Sequence, residues 1–187
     1  MLFFLNKLYV KISKFLSYVL RHNPERFGIQ LDSRGYADLG AVLKILNEKF
    51  TNVEIDKDLI KDLIRKSDKK RFEINNKTIR AFYGHSINKK INMAEIKNPP
   101  DKLYHGTTKW NYKKIKQEGL KSKGRQYVHL SQDLKTARKV AKRRTNNPII
   151  LEINVNQALK NGVKFYKSGD MYLADTIPSD YLNILVS

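Results

Sequence analysis

The sequence predicts an α+β protein of two lobes, with a helical first lobe that ends in a β-hairpin and a mixed α/β second lobe. The 187 residues, 41% of them hydrophobic, suffice for one large or two small domains with real cores. Apolar residues recur at helical spacing through the first third, whereas short apolar strands alternate with helices near the end. Residues 93–102 are irregular and contain Pro99-Pro100, which predicts a linker between lobes 1–92 and 103–187.

Three helices are predicted in the first lobe, over Leu5–Arg21, Asp38–Phe50 and Asp56–Arg65. The first has Ile12, Phe15, Leu16, Val19 and Leu20 on one face, and Pro24 disfavours helical geometry at the residue before it. The apolar start, Met1–Leu5, has no cleavage site and is too short to span a bilayer, so we expect it to open this helix, packed on the core, in a cytoplasmic protein.

A β-hairpin follows the helices. Leu31–Tyr36 reads as a turn between short extended pieces, and residues 71–74 and 77–81 are predicted strands around the turn at Asn75-Asn76. Helices followed by a hairpin indicate a winged-helix-like lobe, an architecture common among nucleic-acid-binding proteins. Architecture alone does not establish that function.

Short strands and two helices are predicted in the second lobe. One helix covers Trp110–Glu118 and ends at Gly119 in the left-handed αL conformation, and another runs from an N-cap at Ser131 to about Arg144. The continuous apolar run in Pro148–Val155 is typical of a central strand. The other predicted strands are 103–105, 127–130, 163–166, 171–174 and 181–186.

The charge predicts an acidic polymer as partner. The 37 Lys and Arg against 18 Asp and Glu give a net charge of +19, which favours nucleic acid over an anionic membrane surface. A lysine-rich proteome explains part of this charge but not the positions of the arginines. The absence of cysteine excludes disulfides, thiolate metal sites and a cysteine nucleophile, and the four scattered histidines predict no metal site.

Five clusters carry side chains suited to chemistry. Arg21-His22 ends the first helix, where a guanidinium suits a phosphate and an imidazole suits phosphate binding or proton transfer. Each cluster alone has an ordinary explanation, such as a basic helix cap or a buried strand histidine. The other four are Arg71 at a strand entry, Gly84-His85-Ser86, Tyr104-His105-Gly106-Thr107-Thr108 with Val128-His129-Leu130-Ser131, and Arg143-Arg144 at a helix end.

Taken in order, these clusters resemble the NAD-dependent RNA 2′-phosphotransferases of the KptA family across nearly the whole chain. The motifs that carry the resemblance are Leu20-Arg-His-Asn-Pro, Leu31-Asp-x-x-Gly-Tyr, Ser67-Asp-Lys-Lys-Arg-Phe-Glu, Ile79-Arg-Ala-x-x-Gly-His-Ser, Leu103-Tyr-His-Gly-Thr, Val128-His-Leu-Ser and Thr136-Ala-x-x-Val-x-x-Arg.

The resemblance implies a winged-helix RNA lobe followed by an ADP-ribosyltransferase-like lobe that holds NAD, the consumed co-substrate. An internal RNA 2′-phosphate, as at a tRNA splice junction, attacks NAD and releases nicotinamide, giving an RNA-2′-phospho-ADP-ribose intermediate. This intermediate resolves into 2′-OH RNA and ADP-ribose cyclic phosphate. We expect a monomer with 2′-phosphorylated RNA and NAD as partners, no metal and no membrane.

The resemblance also implies site residues. The catalytic set is Arg21, His22, Arg71 and Arg143, in which the arginines bind phosphate and stabilise its charge. The role of His22, phosphate binding or proton transfer, is open, and Arg144 is the alternative to Arg143. The NAD-binding residues are His105, Gly106, Thr107, His129 and Ser131, and Ile177 is the candidate for the third core position of the transferase lobe.

One departure from the family pattern lies at Phe82-Tyr83, where members often have Asn-Gln. It removes polar groups that would contact a ligand, although Tyr83 keeps one hydroxyl. Two other function classes stay open. One is an ADP-ribosyltransferase acting on nucleic-acid phosphate ends or on protein, and the other is a non-catalytic winged-helix RNA-binding protein.

Overall fold

The protein is mixed α/β. The structure, a computed structural model, describes the backbone of residues 2–185 and the side chains of residues 7–185. These residues form six α-helices and three antiparallel sheets of three strands each, as the α+β prediction requires. The chain divides between Asn92 and Met93 into two compact units, unit 1 and unit 2. The packing predicted for the Met1–Leu5 side chains lies outside the described residues.

Unit 1 contains the three predicted helices, α1 (Leu2–Arg21), α2 (Leu39–Lys49) and α3 (Lys57–Lys66). The carboxylates of Asp38 and Asp56 cap α2 and α3 by accepting backbone N–H groups, which satisfies donors that a helix start leaves open. The predicted apolar face of α1 supplies the core: Ile12, Leu16, Val19 and Leu20 are at most 1% exposed.

The predicted face of α1 differs from the structure at one residue. Phe15 is half-buried and packs edge-to-face on Phe27 and Phe50, with ring centroids 5.4 and 5.9 Å away. This aromatic cluster extends the core beyond the helices, because Phe27 lies in a short 3-10 turn that follows Pro24.

The sheet of unit 1 brings two chain segments together beside α1. Its strands are β1 (Tyr36–Asp38), β2 (Phe72–Asn75) and β3 (Thr78–Ala81), in the order β1-β3-β2. The predicted hairpin turns at Asn76, whose φ of 52° lies in the left-handed region that asparagine tolerates. The Phe82 N–H donates to the Arg71 carbonyl at 2.9 Å, so the start of β2 and the end of β3 lie side by side.

Unit 2 is built on two antiparallel sheets. One has the order β4 (Lys102–Thr107), β6 (Ile149–Asn154), β9 (Leu182–Leu185), and the other β5 (Val128–Leu130), β8 (Met171–Ala174), β7 (Phe165–Ser168). The strand predicted to be central, β6, is the middle strand of its sheet. Val186, at the predicted end of the last strand, lies outside the described residues.

The helices of unit 2 are α4 (Lys109–Glu118), α5 (Leu134–Ala141) and α6 (Val155–Lys160). Both predicted helices are present, and α6 was not predicted because it follows β6 without a break and is only six residues long. Gly119 ends α4 with φ 76° and ψ 178°, a positive φ but not the predicted αL conformation.

The predicted N-cap of α5 is wrong. Asp133, not Ser131, caps this helix, and its carboxylate accepts the Thr136 N–H at 2.7 Å. Ser131 instead pairs with Tyr104 of β4 through two backbone hydrogen bonds of 2.8 and 2.9 Å. Since this bridge holds Ser131 in extended backbone, the helix starts two residues later than predicted, and it ends at Ala141 in a turn that carries Arg143 and Arg144.

Residues 93–102, the predicted linker, lie in unit 2. Glu95 bridges to Tyr166 of β7, the Ile96 N–H donates to the Phe165 carbonyl at 2.9 Å, and Lys102 begins β4. Among the described residues, no helix combines the length and the apolar character needed to cross a membrane.

Candidate functional site

The end of α1 turns the chain away from the helix immediately after Arg21. The N–H groups of His22 and Asn23 both donate to the Tyr18 carbonyl, and the Arg21 carbonyl accepts the Ser86 N–H at 2.9 Å. That carbonyl is therefore satisfied by the segment after β3, which leaves the Arg21 side chain available for contacts away from its own helix. This arrangement argues against the basic-cap explanation of Arg21.

The Arg21 guanidinium lies against two aromatic rings. Its Cζ atom is 5.6 Å from the centroid of Phe72 and 5.2 Å from that of Tyr83, within the range of cation–π attraction. Its Nη2 donates a long hydrogen bond of 3.4 Å to the Arg71 carbonyl. The rings limit the movement of the guanidinium, which lies beside the backbone of Arg71.

Gly84 is required by its backbone conformation rather than by space. Its φ of 92° lies in a region that other residues rarely adopt, whereas a Cβ built there would make only ordinary van der Waals contact, at 3.5 Å, with Cδ and Nη1 of Arg21. The segment after β3 therefore contributes both a ring, from Tyr83, and a close backbone approach to the same guanidinium.

His22 is held by Ser86. The imidazole Nδ1 is 2.7 Å from the Ser86 Oγ, and both residues are exposed. A hydrogen bond at Nδ1 orients the ring and leaves Nε2 directed elsewhere. The Gly84-His85-Ser86 motif thus supports both members of the Arg21-His22 pair.

His85 lies beneath this pair. It is 2% exposed, and neither of its ring nitrogens has a hydrogen-bond partner among the residues that the structure describes. Burial, together with the positive charges of Arg21, His22 and Arg80, lowers the pKa of His85 to about 4. The ring is therefore neutral at pH 7 and adds no repulsion to the cations around it.

The carboxylate of β2, Glu73, is already engaged. It forms an ion pair with Arg80, whose Nε lies 2.5 Å from Oε1, and it accepts a hydrogen bond from the Tyr36 hydroxyl at 2.5 Å. The Arg80 guanidinium also stacks 4.6 Å from the Tyr36 ring. The Arg21 guanidinium and the His22 imidazole therefore lie at the end of α1 beside the backbone of Arg71, a group of side chains suited to an anion such as a phosphate.

Unit 2 brings the predicted NAD-binding histidines together on β4 and β5, strands of its two different sheets that meet at the Tyr104–Ser131 bridge. His105 of β4 bonds through Nδ1 to the main-chain carbonyl of His129 in β5 at 3.0 Å, beside the Tyr104–Ser131 bridge. A carbonyl only accepts, so Nδ1 carries the proton, and Nε2 of a neutral His105 is an acceptor. Burial, the largest influence, lowers the pKa of His105, and the charge of Arg144 lowers it further, against the His129 bond, which raises it.

Gly106 has a packing role. A Cβ at this position would collide with the Ala141 side chain and come within 2.9 Å of the Ala137 carbonyl, so only glycine lets α5 lie this close to β4. Thr107 and Ser131 are also buried, at 7% and 9% exposure. Burial of two hydroxyl-bearing residues beside His105 gives this region a polar interior.

Arg143 and Arg144 follow α5 in a turn and are both exposed. Arg143 belongs to unit 2, whereas Arg21, His22 and Arg71 belong to unit 1. Ile177 is fully buried and exchanges two backbone hydrogen bonds with Leu120, so it is a core residue of unit 2.

The sequence predicts no role for Phe72, and it singles out Ser86 only within the Gly84-His85-Ser86 cluster and Tyr83 only as a departure from the family pattern. In the structure Phe72 and Tyr83 confine Arg21, and Ser86 orients His22. For Phe72 the only signal was its position directly after Arg71. The described residues contain no cluster of three or more His, Asp or Glu side chains that could hold a metal ion.

Comparison with known proteins agrees with these motifs. Residues 7–175 match the family model described as RNA 2'-phosphotransferase, Tpt1 / KptA family. A probable RNA 2'-phosphotransferase of Acetivibrio thermocellus is 46% identical over 175 residues, which covers 93% of this chain and 96% of the relative. Proteins of the same description from Bacillus thuringiensis subsp. konkukian and Fusobacterium nucleatum are 42% and 39% identical, covering 95% and 92% of this chain and 96% and 97% of the relatives. The chain therefore belongs to the Tpt1 / KptA family of RNA 2'-phosphotransferases.

Proposed function

We propose that this protein is an enzyme that removes an internal 2′-phosphate from RNA by transferring it to NAD. The observation that carries this proposal is the cluster at the end of α1, where Arg21 lies against Phe72 and Tyr83 and bonds to Arg71, beside His22. Family membership supplies the reaction class. The products are 2′-OH RNA, nicotinamide and ADP-ribose cyclic phosphate.

In the first step, a 2′-phosphate oxygen attacks the anomeric carbon of the nicotinamide ribose. The new C–O bond forms as the C–N bond breaks, and its electrons leave with nicotinamide, which departs neutral. A phosphate dianion is already nucleophilic, so this step needs positioning and charge management rather than a strong base. We assign positioning of the phosphate to Arg21 and Arg71, whose guanidinium groups match phosphate oxygens in geometry and charge.

In the second step, the neighbouring ribose hydroxyl of the RNA-2′-phospho-ADP-ribose intermediate attacks phosphorus. The bond between phosphorus and the RNA 2′-oxygen breaks, and the hydroxyl proton ends on that oxygen to give the 2′-OH. Negative charge grows on the phosphate oxygens, and we assign its stabilisation mainly to Arg143. Loss of such a donor costs on the order of 3 kcal/mol of activation free energy. His22, oriented by Ser86, binds the phosphate or carries this proton.

We assign NAD binding to unit 2, through His105, Gly106, Thr107, His129 and Ser131. The neutral His105 supports this assignment, since its Nε2 is an acceptor suited to a ribose hydroxyl. Gly106 contributes to this site by letting α5 pack closely against β4, in addition to any close approach of its backbone to NAD.

We further propose that unit 1 is a winged-helix-like RNA-binding lobe and unit 2 an ADP-ribosyltransferase-like lobe, in a monomer. Three helices with a three-stranded sheet support the first assignment, and two antiparallel sheets with His105 and His129 together on β4 and β5 support the second. The net charge of +19 suits an RNA such as a spliced tRNA.

The test is incubation of a short 2′-phosphorylated RNA with NAD and the wild-type, Arg143→Ala or Arg144→Ala protein. We expect the wild type and Arg144→Ala to release nicotinamide and ADP-ribose cyclic phosphate, and Arg143→Ala to be slower by about a hundredfold or more. Arg144→Ala is the matched control, since it removes the same charge from the next residue.

The outcomes separate the function classes. Accumulation of a stable ADP-ribosylated product by the wild type would indicate an ADP-ribosyltransferase instead. Salt-sensitive RNA binding with no turnover at any NAD concentration would indicate a non-catalytic RNA-binding protein. A large loss in Arg144→Ala alone would move the catalytic role to Arg144.

A further inference from the structure

We propose that the outward face of α4 is an RNA-binding surface on which Trp110 stacks against a base. The inference rests on the proposed function for its partner, RNA, and concerns residues that the phosphate and NAD sites do not use. The surface consists of Trp110, Lys113, Lys114 and Gln117, and is called the α4 face below.

Trp110 is unusually exposed for its type. The indole is 78% exposed, on a helix whose other side packs Ile115 and Tyr112 into the core of unit 2. Tryptophan carries the largest apolar surface of any side chain, so leaving it in water is a cost that binding would recover. Residues 110, 113, 114 and 117 share one side of the helix because positions three, four and seven apart lie on the same face.

The positive charge around the indole favours a polyanionic partner. Lys113 and Lys114 are exposed, and among the described residues no carboxylate pairs with either of them. Lys109 and Lys116 add two more cations to the same helix, while its one carboxylate, Glu118, pairs with Lys121 at 3.5 Å. Like charges three and four residues apart destabilise an isolated helix, and a polyanion relieves that repulsion.

An aromatic ring among lysines fits single-stranded RNA better than a protein partner. Protein interfaces need a continuous apolar centre, yet Val10 and Ile184, the other exposed large hydrophobic residues among those the structure describes, lie on other elements. A base, in contrast, stacks on a single ring while neighbouring lysines hold the phosphates. The α4 face therefore suits single-stranded nucleotides of the RNA other than the one that carries the 2′-phosphate.

The experiment uses Trp110 as its own probe, since it is the only tryptophan in the chain. A single-stranded RNA of about 12 nucleotides without a 2′-phosphate is titrated into the full-length protein, with no NAD, while tryptophan emission is recorded. We expect quenching that saturates and weakens as salt rises. Absence of quenching while labelled RNA still binds would overturn the proposal.

Variants then measure the contribution of the face to affinity. With labelled RNA, Trp110→Ala should bind about tenfold more weakly and Trp110→Phe should retain most of the affinity, because a phenyl ring still stacks. Lys113→Gln with Lys114→Gln should also weaken binding. Its control is Lys97→Gln with Lys160→Gln, which removes two exposed lysines of unit 2 outside the α4 face and should weaken binding less.

Turnover separates this inference from the proposed function. Trp110→Ala should lower kcat/KM for a long 2′-phosphorylated RNA but not for a 2′-phosphorylated dinucleotide, and it should leave the KM for NAD unchanged. If the wild type turns over neither RNA, the proposed function is wrong, and the quenching experiment still tests RNA binding by the α4 face. If Trp110→Ala binds RNA as tightly as the wild type, or if the indole is buried in a dimer, only the inference about the α4 face is wrong.

Discussion

The acid sensitivity of unit 1 should depend on His85. This imidazole is 2% exposed, lacks a hydrogen-bond partner among the described residues and lies among three cations, which together hold its pKa near 4. In the unfolded chain the same group has a pKa of about 6.5. The perturbation is a fall in pH from 7 to about 4, compared between the wild type and a His85→Gln variant that cannot titrate.

The sign follows from where the proton binds. Between about pH 6.5 and pH 4 the unfolded chain binds a proton at residue 85 and the folded protein does not, so acid favours unfolding. The free energy of unfolding should therefore fall with pH across this window. The contribution of His85 is about 1.4 kcal/mol lost by about pH 5.5 and about 3 kcal/mol lost by pH 4.

The assay is urea unfolding followed by far-ultraviolet circular dichroism at several pH values, since the only tryptophan lies in unit 2 and does not report on unit 1. Other groups, His105 among them, contribute equally to both proteins, so the difference between the two curves isolates His85. An imidazole titration by NMR gives an independent reading in the wild type. Parallel loss of stability in both proteins, or titration of His85 at its ordinary pKa, would refute the reasoning.

Three substitutions test the contacts that build the sites. Tyr83→Leu removes one of the two rings against Arg21 and should lower kcat/KM for 2′-phosphorylated RNA by about fivefold, because about 1 kcal/mol of cation–π attraction is lost. Tyr83→Phe keeps the ring and should retain activity. Ser86→Ala removes the 2.7 Å contact to His22 and should shift the pH profile of kcat, while Ser86→Thr retains a hydroxyl. Gly106→Ala should cost about 1–3 kcal/mol of unfolding free energy, because its Cβ collides with α5, and an unchanged urea midpoint would contradict this.

The regular elements were largely predictable because their signals are local. The apolar spacing of α1 predicted a helix ending at Arg21, and the asparagine turn predicted the hairpin of β2 and β3. The continuous apolar run of β6 predicted a central strand, and β6 is the middle strand of its sheet. Its successive residues Ile150 and Leu151 point to opposite faces and are both buried, which explains why the run does not alternate with polar residues.

Local signals failed where a residue had a stronger tertiary partner. Ser131 has the chemistry of an N-cap, but its backbone pairs with Tyr104, and Asp133 caps α5 instead. Gly119 has the positive φ that is common for a glycine at the end of a helix. Its ψ is extended rather than αL, because the next residue, Leu120, pairs with Ile177.

The candidate site likewise has features that the sequence predicts and features that depend on tertiary contacts. The sequence by itself determined the family, through ordered motifs, and the chemical inventory: many cations, no cysteine, and histidines on two strands. Only the tertiary structure decided that the Arg21 side chain lies against Phe72 and Tyr83, that Ser86 holds His22, and that Trp110 faces water. The reason is physical: a motif states which groups are present, whereas orientation and exposure depend on contacts between residues far apart in the chain.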